Sequence, residues 1–136
     1  MKRRLLIQAQ THSMKFAARH PERNNFLHFS YIVQEKAILG WGFNHAASPP
    51  VHFGYGRDGD KSFAPKSHAE VGAYKQSRGL LLKGEAFSMI NIRLNRSGTV
   101  KLAKPCDCCY NLLSCLGCSA FWYSTNDGFQ LLRGGI

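Results

Sequence analysis

An α/β domain built around one sheet follows from two observations. Segments with helical and extended character alternate as α, ββ, loop, α, ββ, α, ββ, the order of a sheet with helices packed on it. The chain has 136 residues and is 44% hydrophobic, enough for one packed core and little more. Residues 1–136 are therefore read as a single domain without internal repeats.

Each element has a local reason. Residues 2 to 20, "KRRLLIQAQTHSMKFAARH", place Leu6, Ala9, Met14, Ala17 and Ala18 near helical spacing, and Pro21 stops the helix. "FLHFSYIVQEKAILGWGFN" is rich in β-branched and aromatic residues and carries polar "QEK" at its centre, which predicts a hairpin over roughly 28 to 44. Residues 45 to 67 hold prolines, glycines and charged turn formers without a period, so they read as a long loop bordering a site. "HAEVGAYKQSRGLL" reads as a helix ended by Gly79. "FSMINIRLN" alternates with Ser88, Ile90, Ile92 and Leu94 on one face, and "RSG" turns the chain into "TVKLAK". Pro105 opens a helix running to Gly117. A strand, an "NDG" turn, a short strand and a loose tail over 131–136 complete the chain.

Composition excludes several classes. No apolar run approaches the roughly 18 residues of a membrane span, and the basic start has only a short apolar stretch, so the chain reads as unsecreted and cytoplasmic, with no membrane partner. Five cysteines, Cys106, Cys108, Cys109, Cys115 and Cys118, fall within thirteen residues. Disulfides between them would close only very short loops, and reduced thiols with a metal fit better. Eighteen Lys and Arg against eight Asp and Glu give a formal charge of +10, a surface that attracts polyanions.

Two motifs carry the chemistry. His68 and Glu70 lie in the first turn of one predicted helix. Cys106 and Cys109 lie in the first turn of another, with Pro105 at its first position. One imidazole and two thiolates form a ligand set suited to Zn²⁺, one ion per chain, and leave the fourth tetrahedral position to water. A helix start lowers a thiol's pKa and favours the thiolates a metal needs. Glu70 then reads as a carboxylate beside the metal that moves protons without coordinating it. Cys108 offers a rival register, but only Cys106 with Cys109 has the i, i+3 spacing that brings two sulfurs to one face. A four-cysteine zinc module using Cys115 and Cys118 has too short a spacer, and these two read as small core residues.

The H-x-E and P-C-x-x-C pair, in "HAEV" and "KPCDCC", together with the strand "FWYST", resembles the zinc-dependent cytidine deaminase-like superfamily, particularly its CMP/dCMP-type and small virus-encoded members. The resemblance covers about residues 28 to 130. It implies a three-layer α-β-α fold whose mixed five-stranded sheet is flanked by helices, with zinc between the two motif helices. It also implies His68, Cys106 and Cys109 as ligands, Glu70 as proton shuttle, Asn44 as a partner for a sugar hydroxyl, and the backbone at Ala69 as a contact for the base edge. The gap of 34 residues between Glu70 and Pro105 is longer than in many relatives and is absorbed by an extra turn at "LNRSG".

The activity so implied is hydrolytic deamination of cytosine to uracil. The charge, and the mixture of His52, Phe53, Tyr55, Arg57, Lys61 and Lys66 in the long loop, resemble an aromatic and cationic groove and favour single-stranded DNA or RNA as substrate. Tyr123 at the end of its strand is a candidate to stack on the base. Free (deoxy)cytidine or CMP/dCMP is the alternative, and such short enzymes usually close their sites by oligomerisation. Adenine deamination uses the same apparatus. A non-catalytic zinc-stabilised nucleic-acid binder is a further reading, opposed by Glu70, for which a structural site has no use.

Overall fold

The computed structural model describes residues 1–20, 27–44, 69–95 and 97–134. The long loop expected over 45–67 therefore lies outside the described residues, as does His68. None of the described helices is long and apolar enough to cross a membrane.

The helices are α1 (Arg3–Arg19), α2 (Ala69–Ser77) and α3 (Asp107–Cys115). The strands are β1 (Leu27–Gln34), β2 (Ala37–Phe43), β3 (Phe87–Leu94), β4 (Val100–Lys101), β5 (Cys118–Thr125) and β6 (Gly128–Arg133). They form one mixed sheet in the order β2-β1-β3-β5-β6, with the two-residue β4 paired to β3 beside this path. Every neighbouring pair is antiparallel except β3 with β5. The sheet thus has the six extended segments read from the sequence, one more than the resemblance implies. The addition is the short β4, made because Asn95 turns the chain back on β3: its Oδ1 accepts from the N–H groups of Ser97 and Thr99 at 3.0 and 2.8 Å. The expected tail is also shorter, since Leu131 to Arg133 complete β6 against Ala120 to Trp122.

The three layers follow from alternation along β1. Phe29, Tyr31 and Val33 pack with Leu5 and Ala9 of α1 and with Ile90, Ile92 and Leu94 of β3. Ile32 points the other way, into a cluster with Val71 and Ala73 of α2, Cys109 and Leu113 of α3, and Met89 and Phe121. Successive strand residues face opposite sides, so α1 covers one face and α2 with α3 cover the other. Buried on both faces, β3 shows little of the polar alternation expected of it.

On α1 the buried stripe is Leu5, Ala9 and Ser13, one turn apart, and Met14 is exposed. Of the expected stripe, Ala9 is buried and Leu6 and Ala17 pack against the same cluster, whereas Met14 and Ala18 are exposed and Ser13 takes a buried position beside the Tyr31 hydroxyl, which needs polar company. His12 Nδ1 lies 2.8 Å from that oxygen, and Ser13 hydrogen-bonds to it as well.

On the opposite face, α2 sits on two glycines of β2. A Cβ at Gly42 would stand 2.6 Å from Ala73 N and 2.9 Å from Ala69 O and Gly72 C, and one at Gly40 would strike the Ser77 side chain. "GWGF" therefore reads as a seat for a helix: the missing side chains let α2 approach the strand backbone directly. Gly42→Ala is expected to cost about 1–3 kcal/mol, because the obstructing atoms are backbone and cannot swing aside. Urea denaturation measures it. Gly79→Ala, with nothing within 4 Å of the added carbon, is the control, and equal effects in the two variants would refute the close-approach account.

Candidate active site

Three rows of side chains cross the sheet on the face covered by α2 and α3. The innermost is Gly40, Ile32, Met89 and Phe121, which is apolar and belongs to the core. Two residues further along each strand comes Gly42, Ser30, Asn91 and Tyr123, small or polar. The outermost row is Asn44, His28, Arg93 and Lys101. The two outer rows lie toward the carboxyl ends of the parallel pair β3 and β5, where open α/β sheets place their ligands.

Glu70 lies over the middle row. It belongs to the first turn of α2, where a carboxylate complements the positive end of the helix, and is only 1% exposed. Asn91 Nδ2 donates to its Oε2 at 3.4 Å, and Ser30 Oγ donates to Asn91 Oδ1 at 2.7 Å. The second bond orients the amide that makes the first. His28 Nε2 lies 3.9 Å from the same carboxylate oxygen. The other oxygen, Oε1, is buried without a hydrogen-bond partner among the described residues. A buried acceptor left so costs about 1–3 kcal/mol, and more when charged, which is the signature of an atom kept for a ligand or water.

Ser30, Asn91 and His28 were not singled out by sequence reasoning. A signal existed for the first two: each is a polar residue flanked directly by large apolar or aromatic ones, in "FSY" and "INI".

The cysteine pair stands at the start of α3. Cys106 is the N-cap and not, as expected, in the first turn; its Sγ accepts from Cys109 N at 3.4 Å. Pro105 is accordingly one position before the cap and not the first helical residue. The sulfur takes the place usually held by a Ser or Asp oxygen at a cap, so the i, i+3 proximity survives the shift. The connector is held in place from β5: Ser124 Oγ donates to Lys101 O at 2.7 Å, and Ala103 N donates to Ser124 O at 2.9 Å.

The helix start does not lower the Cys109 thiol as expected. Contact with the Cys106 thiol, complete burial and the negative charge of Glu70 push it far above the ordinary thiol value. Two sulfurs pressed together in a buried site ionise readily only with a cation between them. Their chemistry thus suits a metal pair, and the charge of Glu70 bears on it. Among the described residues no three His, Cys, Asp or Glu side chains close into a ligand cage. The third expected ligand, His68, lies outside them, immediately before α2.

Cys118 is a fully buried core residue, whereas Cys115 is exposed at the end of α3. Asn44 lies beside His28, its Oδ1 accepting from His28 N at 2.8 Å. Ala69 is buried, with its carbonyl against Gly42. Tyr123 is in the middle row next to Asn91, 9% exposed, and its hydroxyl donates to Gln130 Oε1 at 3.0 Å. His52 and Tyr55 lie outside the described residues.

Three solved structures resemble this fold. Cytidine deaminase from Mycobacterium leprae has a TM-score of 0.54 at 17% identity, over 91% of this chain and 90% of that one. Cytidine deaminase from Mycobacterium tuberculosis gives 0.53 at 14%, over 90% and 86%. Apo dCMP deaminase from the cyanophage S-TIM5 gives 0.50 at 17%, over 92% and 86%. The chain has the cytidine deaminase-like fold. No family model matches the sequence, and no curated protein is similar to it at the level of sequence. At these identities the likeness concerns the path of the backbone.

Proposed function

We propose that this chain is a hydrolytic deaminase that converts cytosine to uracil and ammonia. One observation carries the reading: a buried carboxylate with one oxygen held by Asn91 and the other lacking a partner among the described residues, on a helix packed against the helix that bears the two thiols. Zinc on His68, Cys106 and Cys109, when bound, supplies the Lewis acid that makes water a nucleophile near neutral pH. Glu70 takes one proton from the attacking water and delivers it to the ring nitrogen beside the amine-bearing carbon, then carries the remaining proton of the added oxygen to the amine, which leaves as ammonia as the carbonyl forms. Asn91 keeps the carboxylate aimed during these transfers.

The cytosine is carried on single-stranded DNA or RNA in the reading that the net charge of +10 favours. A second reading, free cytidine or CMP/dCMP, is favoured by the distribution of that charge. Lys2, Arg3, Arg4, Lys15 and Arg19 belong to α1 and its cap, on the face of the sheet away from Glu70. The structural neighbours, cytidine and dCMP deaminases, lean the same way. Zinc-loaded protein offered nucleosides, mononucleotides, single strands and duplexes in parallel decides between them by mass shift. Uracil in the single strand, at a rate falling steeply with salt, is expected from the first reading. Turnover of free nucleosides and nucleotides alone selects the second. No turnover of any cytosine would overturn the enzyme.

A further inference from the structure

The deamination chemistry makes no use of α1. Residues 1–20 contain Lys2, Arg3, Arg4, Lys15 and Arg19 and no Asp or Glu. Leu5, Ala9 and Ser13 are buried against the sheet, while Arg4, Gln8, Thr11, Lys15 and Arg19, spaced three or four residues apart, form a stripe along the exposed side. Among the described residues Arg3, Lys15 and Arg19 make no ion pair and no side-chain hydrogen bond, and Arg4 Nη2 donates to Lys36 O at 3.1 Å. That bond sets the hairpin turn beside the helix start and adds Glu35 and Lys36, whose charges cancel. Lys2, Arg3 and Arg4 stand at the amino end of α1, where the helix dipole is already positive and acids are favourable, and Lys2 supplies no capping hydrogen bond. No contact within the described fold offsets this arrangement, whereas a polyanion laid along the helix would.

The make-up of the stripe selects the polyanion. Arg, Lys, Gln and Thr are side chains that contact phosphate and sugar, and here the uncharged Gln8 and Thr11 lie between cationic ends. Arg4 and Lys15 are about 16 Å apart along the axis, which lets the two ends meet the phosphates bordering both sides of a duplex groove about 12 Å wide. The exposed positions of α1 hold no aromatic ring on which an unpaired base could stack, the device of single-strand binders. Met1, Ile7 and Met14 are the large apolar residues exposed on this segment, too few for a helix that lies in a bilayer surface. We propose that the outer face of α1 docks the protein on the sugar-phosphate backbone of double-stranded DNA, without reading its sequence. The dock is across the sheet from Glu70, so a protein held by it keeps the face of the candidate active site open. It goes beyond the deaminase reading and stands apart from it, since the duplex is bound here and not turned over.

The test measures fluorescence anisotropy of a short duplex of A·T pairs only, which offers no cytosine to the active site, with full-length zinc-loaded protein at salt between about 50 and 200 mM. The Arg3→Gln/Lys15→Gln/Arg19→Gln variant leaves the bond from Arg4 to Lys36 intact. It is expected to bind the duplex about tenfold or more weakly, with the slope of log affinity against log salt reduced in magnitude by about 2 to 3. Arg78→Gln/Lys83→Gln/Lys104→Gln removes the same charge from exposed positions outside α1 and should change both far less. Equal losses in the two variants would show attraction by net charge alone and overturn the dock. So would absence of duplex binding by the wild type, tighter wild-type binding to an oligothymidine strand than to the duplex, or α1-dependent binding to phosphatidylserine vesicles without binding to the duplex. Should the α1 variant fail to fold, acetylation of wild-type Lys15 decides: slowing by the duplex supports the dock, and an unchanged rate overturns it. Ammonia release plays no part in these measurements, so failure of the deaminase reading and failure of the dock are seen separately.

Discussion

Glu70→Gln is expected to reduce uracil formation by about 10²–10⁴-fold, the range contributed by a positioned acid–base group. The amide matches the carboxylate in shape, and its oxygen can still accept from Asn91 Nδ2, so the Ser30–Asn91 arrangement survives. What is lost is the capacity to take a proton from water and return it to nitrogen. Fold and zinc content should be unchanged, and stability should hold or rise, since a neutral amide is less costly to bury than a carboxylate with an unpartnered oxygen. Ammonia release and elemental analysis read the two halves separately. Full turnover in this variant would overturn the assignment of Glu70 as the proton carrier, whereas no ammonia from either protein would return the chain to the class of zinc-stabilised nucleic-acid binders.

The second large effect is expected at Cys109. Cys109→Ala should drop zinc from about one ion per chain to near zero, and with it the metal's contribution to stability, about 4 kcal/mol at a zinc concentration a thousand times its Kd. The side chain is fully buried between α2 and α3, among Val71, Ala73, Met89 and Leu113, so alanine preserves most of the packing. Cys115→Ser is the contrast. That thiol is exposed, and Cys118 Sγ donates to Ala120 O at 3.3 Å inside β5, so neither belongs with the pair. Zinc retained in Cys109→Ala, or lost in Cys115→Ser, would overturn the ligand assignment and revive the four-cysteine module. Melting temperatures with and without chelator provide the matching stability measurement.

How much of this was legible in the residues varied with the range of the interaction. The hairpin over 28 to 44 was predicted because its signal, apolar runs around a polar turn, is complete within a few residues, and β1 and β2 appear where expected. The cysteine pair was predicted for the same reason: i, i+3 proximity at a helix start is a local fact, and it held even though Cys106 proved to be the cap. On α1, Leu6, Ala9 and Ala17 face the core as expected, but Ser13 and not Met14 is buried because Tyr31, a residue on another element, presents a hydroxyl there. Asn91 was passed over because a polar residue in a strand has no meaning until its neighbours are known.

By itself, then, the sequence determined the kinds of donors present, their grouping at helix starts and the local elements that carry them, since periodicity and capping depend on contacts a few positions apart. Only the tertiary structure decided that Gly42, Ser30, Asn91 and Tyr123 form one row beneath Glu70, and that His28, Arg93 and Lys101 form the next. Strand order and register are set by pairing between segments tens of residues apart, and a shift of one residue would turn each of these side chains to the opposite face of the sheet.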